Sequence, residues 1–215
     1  MEKKYFFFDI DGTLTDRSTG KIVPSAREAL DRLEANGHFV AIATGRAHYK
    51  ARKFTGANGF KNMVCCGGNG CVINNELVEN IPLDKEGCLQ IIHQSEELGY
   101  GWCVALDDTK DVYMTDDKFL RQVGKRKEPT RYIIDDMLDI DSVDAIYKIY
   151  VAIPKEEEEK LTKKELIGHL RFEPEYLMFQ PDNKRGGIIK MMEHLNADIK
   201  DVVVFGDDYN DMDMF

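Results

Sequence analysis

The sequence predicts an α/β chain: a core of parallel strands joined by crossover helices, interrupted by an α+β insert. Three observations carry that prediction. Short β-rich runs alternate with helical patterns near the start, at Tyr5–Phe8, His38–Ala43 and Asn62–Cys66, and strand–helix–strand order implies parallel pairing. From about residue 82 to residue 181 the pattern changes to paired strands with helices between them. The tail then returns to the first pattern, with a helix over Gly186–Leu195 and a strand over Asp201–Phe205. The expected organisation is a Rossmann-like core of residues 1–81 and 182–215 around an insert of residues 82–181, itself of domain size.

Each element has a local justification. Tyr5–Phe8 is continuously apolar, as a parallel strand buried on both faces should be. It runs out into Asp9-Ile10-Asp11-Gly12-Thr13-Leu14. Residues two apart project to the same side of a strand, so Asp9 and Asp11 can approach one site if the turn opens there. Adjacent carboxylates repel unless a cation lies between them or one keeps its proton. A hard cation such as Mg2+ takes oxygen ligands, and a protonated carboxyl can act as a general acid. Open parallel sheets bind ligands outside the carboxyl ends of their strands. Taken alone, the same residues also make an ordinary polar turn.

Ser25-x-x-Glu28 reads as a capping box ahead of Ala26, Ala29, Leu30 and Leu33 at helical spacing, with Asn36-Gly37 as the stop. The second strand ends in Thr44-Gly45-Arg46, and a helix is expected over Ala47–Phe54. The third ends in Gly67-Gly68-Asn69-Gly70, after which Asn74-Asn75 should turn a hairpin. Pro82 marks the exit to the insert. There the sequence predicts a helix over Asp84–Leu98, antiparallel strands over Trp102–Leu106 and Val112–Thr115, and a polar stretch over Lys118–Arg131. A strand over Ala145–Ile153, a charged helix over Lys155–Ile167 and a hairpin around Glu173-Pro174-Glu175 complete it. The last strand, expected to be buried, leads into Gly206-Asp207-Asp208-Tyr209-Asn210-Asp211.

Composition narrows the function. The 215 residues are 43% hydrophobic, enough for a substantial core, and carry a net charge of −10. So acidic a surface argues against nucleic acid or anionic membrane as partner. A phosphate site would have to be built locally from backbone amides, a lysine and a metal. No apolar run is long enough to span a bilayer, and the N-terminal run is cut off by Asp9, unlike a signal peptide. Five cysteines without a C-x-x-C predict reduced thiols and a cytoplasmic location. The five histidines have no ligand-like spacing.

Four polar clusters fall at or beside strand ends: Asp9/Asp11, Thr44, Lys184 and Asp207/Asp211. Residue types alone suggest phosphoryl transfer. Asp9 and Asp207 can supply oxygen ligands to Mg2+, and Asp9 can attack phosphorus. Asp11 can protonate the leaving oxygen and then activate water. The Thr44 hydroxyl and amide can donate to a phosphoryl oxygen, and Lys184 can neutralise charge.

These four ordered motifs resemble those of the haloacid dehalogenase-like hydrolase superfamily, and the position of the insert resembles the Cof-type branch, whose members carry a C2B-type α/β cap. The resemblance covers the whole chain. It implies a Mg2+-dependent phosphatase of small phosphorylated metabolites, sugar phosphates among them, acting as monomer or homodimer with the cap closing over the site. It assigns Asp9 as nucleophile and Asp11 as acid/base, with the Asp11 main-chain carbonyl on the metal. Asp207 becomes a metal ligand and Asp211 its support; Thr44, Gly45, Lys184 and Asn210 hold the phosphoryl group, with Asn69 near it. Two departures stand out. Lys184-Arg185-Gly186-Gly187 replaces the usual Lys-Gly, leaving Arg185 as a rival to Lys184. Family members also continue beyond the fourth motif, so the core is expected to be truncated at its carboxyl end. Alternatives are a sugar phosphomutase, which needs a basic cluster such as Arg121, Lys125, Arg126 and Lys127, and a non-catalytic module that binds metal and phosphate.

Overall fold

The computed structural model describes residues 2–126 and 130–215. In chain order its elements are β1 (Tyr5–Phe8), α1 (Pro24–Ala35), β2 (Phe39–Ala43), α2 (His48–Asn58), β3 (Met63–Cys65), β4 (Gly70–Ile73) and β5 (Glu76–Asn80). Then follow α3 (Lys85–Glu97), β6 (Trp102–Ala105), β7 (Asp111–Met114), α4 (Lys118–Val123), β8 (Arg131–Ile134), β9 (Lys148–Val151), β10 (His169–Glu173) and β11 (Tyr176–Phe179). The chain closes with α5 (Lys184–His194) and β12 (Val202–Phe205). Two compact units result: the residues up to Asn80 with Asp182–Phe215, and Ile81–Pro181.

Among the described residues the first unit holds a six-stranded sheet in the order β12-β1-β2-β3-β4-β5. It is parallel from β12 to β3 and antiparallel through the β4–β5 hairpin. Asn74 and Asn75 turn that hairpin with positive φ of 52° and 68°, a conformation asparagine tolerates and tight hairpins favour. Side-chain alternation divides the core between two faces. Phe8, Val40, Ile42 and Met63 pack with Leu30 of α1 and Ala51 of α2. Phe7, Ala41, Ala43 and Val64 pack with Ile188, Met191 and Met192 of α5.

Three expectations for this unit need correction. Val23 is the N-cap of α1, with Pro24 in the first turn and no side-chain cap bond, so Ser25 lies inside the helix and the capping box is not made. Pro24 fits there because its φ is preset for a helix and its missing N–H would lack a partner anyway. The second helix runs past Phe54 to Asn58 and stops at Gly59, whose φ is 79°. The last strand is half-buried, with Phe205 exposed, because β12 lies at the sheet edge and, among the described residues, pairs with β1 alone.

The second unit has its own sheet, ordered β10-β11-β9-β6-β7-β8 among the described residues, antiparallel except for the parallel β7–β8 pair. Trp102, Val104, Ile149, Val151, Leu177 and Phe179 face Cys88, Ile91 and Ile92 of α3. Cys103, Val112, Met114, Tyr150 and Met178 form the other face with Phe119. The polar stretch Lys118–Arg131 contains α4, pinned by the fully buried Phe119, and leads into β8. The charged helix expected over Lys155–Ile167 does not form: two 3-10 turns, Lys155–Lys160 and Lys164–Leu166, take its place. The turns instead bring Lys164 Nζ to Glu158 and Glu159, at 3.2 and 2.7 Å, and bury Leu161. No helix among the described residues is long and apolar enough to cross a membrane.

Candidate active site

Asp9 is the first residue beyond β1. Its amide donates to Phe205 O at 2.9 Å, continuing the ladder to β12, while its carboxylate is buried. Lys184, the first residue of α5, is wholly buried and reaches the same place. Its position follows from how α5 is seated. Asn183 caps the helix by accepting the Gly186 amide at 2.9 Å, and its own amide donates to Gly67 O at 2.9 Å. Gly68 adopts φ of +110°, and a Cβ there would lie 2.0 Å from Asn183 O. The glycine turn after β3 is therefore the seat on which the start of α5 rests.

From that seat Lys184 Nζ donates to Asp9 Oδ1 at 2.8 Å and to Asp211 Oδ1 at 2.5 Å. Asp211 is fully buried, and its Oδ2 accepts the amides of Asp207 and Asp208 at 3.1 and 3.2 Å. Burial alone would lower the Lys184 pKa, but the charges and hydrogen bonds of Asp9 and Asp211 outweigh it and hold the ammonium protonated. Burial also raises the Asp9 pKa, against the pull of Lys184 and with help from Asp211. One lysine thus serves two buried carboxylates, which leaves that pair one positive charge short.

Asp207 adds a third carboxylate. One oxygen each of Asp9, Asp207 and Asp211 lies within 4.8 Å of the others. Hard oxygen donors around an uncompensated charge suit a small divalent cation such as Mg2+. Asp207 Oδ1 accepts the Thr13 hydroxyl at 2.9 Å, and Oδ2 pairs with Arg17 at 2.6 Å. Burial raises the Asp207 pKa, but these two donors outweigh it and hold the carboxyl below its ordinary range. Gly12 makes room: at its φ of +104°, a Cβ would lie 2.2 Å from Asp207 Oδ2.

The Asp9 and Asp11 carboxylates take different partners. The Asp11 amide donates to Asp9 Oδ2 at 2.9 Å, while the exposed Asp11 carboxylate turns to Arg46, with Nε–Oδ2 3.0 Å and Nη2–Oδ1 2.5 Å. The Asp11 carboxylate therefore stands outside the acidic triad. Thr44 also differs from expectation: its amide is committed to Val64 O at 2.9 Å in the sheet ladder. Its hydroxyl oxygen accepts the Arg46 amide at 3.2 Å, leaving the hydroxyl hydrogen to donate. The neighbouring Gly45 amide has no hydrogen-bond partner among the described residues.

Asn69 follows the glycine turn and Asn210 sits in the final turn, Tyr209–Met214; both are half-buried. Lys184, and not Arg185, faces Asp9: Arg185 is exposed and its amide donates to Asp213. Arg17, Thr13 and Arg46 are the polar partners that sequence reasoning missed or set aside. Only the loop geometry brings them to Asp207 and Asp11. In the second unit Arg121 pairs with Asp117, the N-cap of α4, and Arg126 lies over the Tyr150 ring. Lys125 is exposed, and Lys127 falls outside the described residues. Burial pushes the Cys71 thiol up to about 11 and those of Cys88 and Cys103 to about 12, so none of the three is a thiolate nucleophile at neutral pH.

Comparison with known proteins identifies the family. The sequence profile of a family described as haloacid dehalogenase-like hydrolase matches residues 6–215. The chain belongs to that family. It is 28% identical over 217 residues to Bacillus subtilis YkrA, a protein provisionally named a phosphatase, across 100% of this chain and 83% of the relative. It is 26% identical over 233 residues to the Escherichia coli pyridoxal phosphate phosphatase YbhA, across 100% of this chain and 85% of that one. The fold matches the solved structure of the HAD subclass IIB sugar phosphatase BT4131 with a TM-score of 0.74 at 22% identity, covering 99% of this chain and 84% of the other. The haloacid dehalogenase-like chain described here is a phosphoric monoester hydrolase of the Cof type.

Proposed function

We propose that this chain is a Mg2+-dependent, cytoplasmic phosphatase of small phosphorylated metabolites, sugar phosphates foremost, acting through an aspartyl-phosphate on Asp9 as a monomer or homodimer. The observation that carries this reading is the buried Lys184 ammonium shared by Asp9 and Asp211. A carboxylate fixed by a lysine on one oxygen and by an amide on the other is held for attack and shielded from an anionic substrate.

Asp9 attacks phosphorus, and the ester bond breaks as the acyl-phosphate bond forms. Asp11 gives its proton to the departing alkoxide, then takes one from the water that attacks phosphorus, which releases phosphate and frees Asp9. Both Asp11 oxygens are engaged by Arg46, so Arg46 must withdraw from at least one before that proton can move. The Gly45 amide and the Thr44 hydroxyl are donors for the phosphoryl oxygens, with Lys184, Asn69 and Asn210 as further contacts. Bound by Asp9, Asp207 and the Asp11 main-chain carbonyl, with Asp211 behind, Mg2+ would supply the positive charge that the carboxylates lack. No observation favours a mutase: Arg121 pairs with Asp117 and Arg126 lies over the Tyr150 ring.

The test is phosphate release from a panel of sugar phosphates, pyridoxal phosphate and nucleotides, with and without Mg2+. The proposal expects metal-dependent release, greatest among sugar phosphates and lost in Asp9→Asn. Release that survives Asp9→Asn or ignores Mg2+ would overturn it.

A further inference from the structure

We infer that Arg17 is an internal counter-cation that competes with the divalent cation for Asp207 and so sets the affinity of the metal site; this rests on the Mg2+ reading above. Both Asp207 oxygens carry donors, Thr13 on Oδ1 and Arg17 on Oδ2, and the same guanidinium lies 3.8 Å from Asp208. Asp207 is also the exposed member of the acidic triad, the one a cation meets first from solvent.

Arg17 is presented by a loop with its own bracing. Thr15 forms bridges to Asp11 and Ile22, and its hydroxyl donates to Ile10 O at 2.8 Å. Asp16 accepts the Ser18 and Thr19 amides at 2.9 and 3.0 Å, and its amide donates to Lys21 O. These bonds fix the loop that carries the Arg17 backbone, while its side chain, 65% exposed, remains able to swing away. A cation accepted at Oδ2 displaces a donor of like charge, so metal entry exchanges one positive charge for another rather than filling an empty carboxylate cage. Thr13, neutral and on the other oxygen, can stay.

The exchange predicts opposite effects of one substitution on the two states. Removing the Arg17 charge relieves competition and tightens metal binding, but leaves three carboxylates less compensated when metal is absent. Arg17→Gln and Arg17→Lys should be compared with the unaltered chain by calorimetric titration with Mg2+ and Mn2+, and by thermal unfolding with and without Mg2+. Expected for Arg17→Gln is a dissociation constant roughly two- to fivefold lower, the span of an exposed ion pair, with a lower melting temperature without metal and a larger Mg2+-induced rise. Arg17→Lys should stay near the unaltered values. Equal or weaker metal binding in a folded Arg17→Gln would overturn the inference while leaving the metal site standing. Absence of binding in all three proteins would overturn the Mg2+ reading, and the inference with it.

Discussion

The two units bury charge in different ways. In the first, Lys184 joins Asp9 across 175 positions and Asp211 across 27, so only the completed fold assembles the cluster. In the second, the buried Asp111 meets Arg131 across 20 positions on the neighbouring strand, and Lys164 finds Glu158 and Glu159 six and five residues away. The second set is local and its charges balance: Asp111 faces Arg131, while Glu158 takes Arg171 as well as Lys164, so two cations meet two glutamates. The first converges on one place, with more carboxylate than ammonium, at the carboxyl end of a parallel strand. Buried ion pairs are poor sources of net stability, because desolvation offsets most of their attraction. A cluster that is long-range, buried and charge-imbalanced therefore marks chemistry, whereas local, balanced pairs mark structure.

Breaking the first cluster should have the largest effects. Asp9→Asn should lower turnover by roughly 10^3-fold or more while the protein stays folded, as loss of a covalent nucleophile does; steady-state kinetics and circular dichroism check both halves. Lys184→Met strands two buried carboxylates and should cost about 3–5 kcal/mol in denaturant unfolding, with activity lost as well. Lys164→Met is the counterpart in the second unit. One of its partners, Glu159, is 92% exposed, so the cost should stay within about 1 kcal/mol and turnover should not change. If the two lysine variants cost the same, the contrast between the units fails.

Gly68→Ala sharpens the comparison by disturbing the seat rather than the charges. The added Cβ meets Asn183 O at 2.0 Å with the backbone at positive φ, so about 1–3 kcal/mol should be lost. Turnover should fall further than that loss of folded protein explains, because α5 carries Lys184. The smallest effect belongs to an exposed histidine. The His93 pKa is raised chiefly by its hydrogen bond to Asp141, with Glu96 adding to it. Its contribution is fully present below the ordinary value of 6.5 and fades as pH rises through the higher folded value. His93→Gln should therefore be less stable than the unaltered chain near pH 5 and indistinguishable from it near pH 8, by a few tenths of a kcal/mol.

Most strand positions and the polar motifs were legible in the sequence because both follow short-range rules; the exception is β8, Arg131–Ile134, which was not anticipated. Tyr5–Phe8 was read to the residue, since an apolar run ending in Asp has one natural boundary. The partners of the motif residues were not legible. Arg17 and Arg46 look like ordinary surface arginines until the loops place them on Asp207 and Asp11. The commitment of the Thr44 amide to Val64 O depends on how far the β2–β3 ladder extends, which no local pattern sets. The failed helix at Lys155–Ile167 shows the converse: a charged run after Pro154 suggested a helix, while 3-10 turns place Lys164 on Glu158 and Glu159. Phe119, Leu120 and Val123 of α4 do fall at helical spacing, but a run of six residues inside a polar stretch was too short to be read as a helix.

The central claim is that the buried, lysine-held carboxylate of Asp9 is the nucleophile. Acid quench of steady-state turnover on a sugar phosphate, borohydride reduction and peptide mass mapping test it directly. The account predicts homoserine at position 9, formed by reduction of the acyl phosphate, and none at Asp11, Asp207 or Asp211. Modification at another aspartate, or rapid turnover with position 9 untouched, would contradict it.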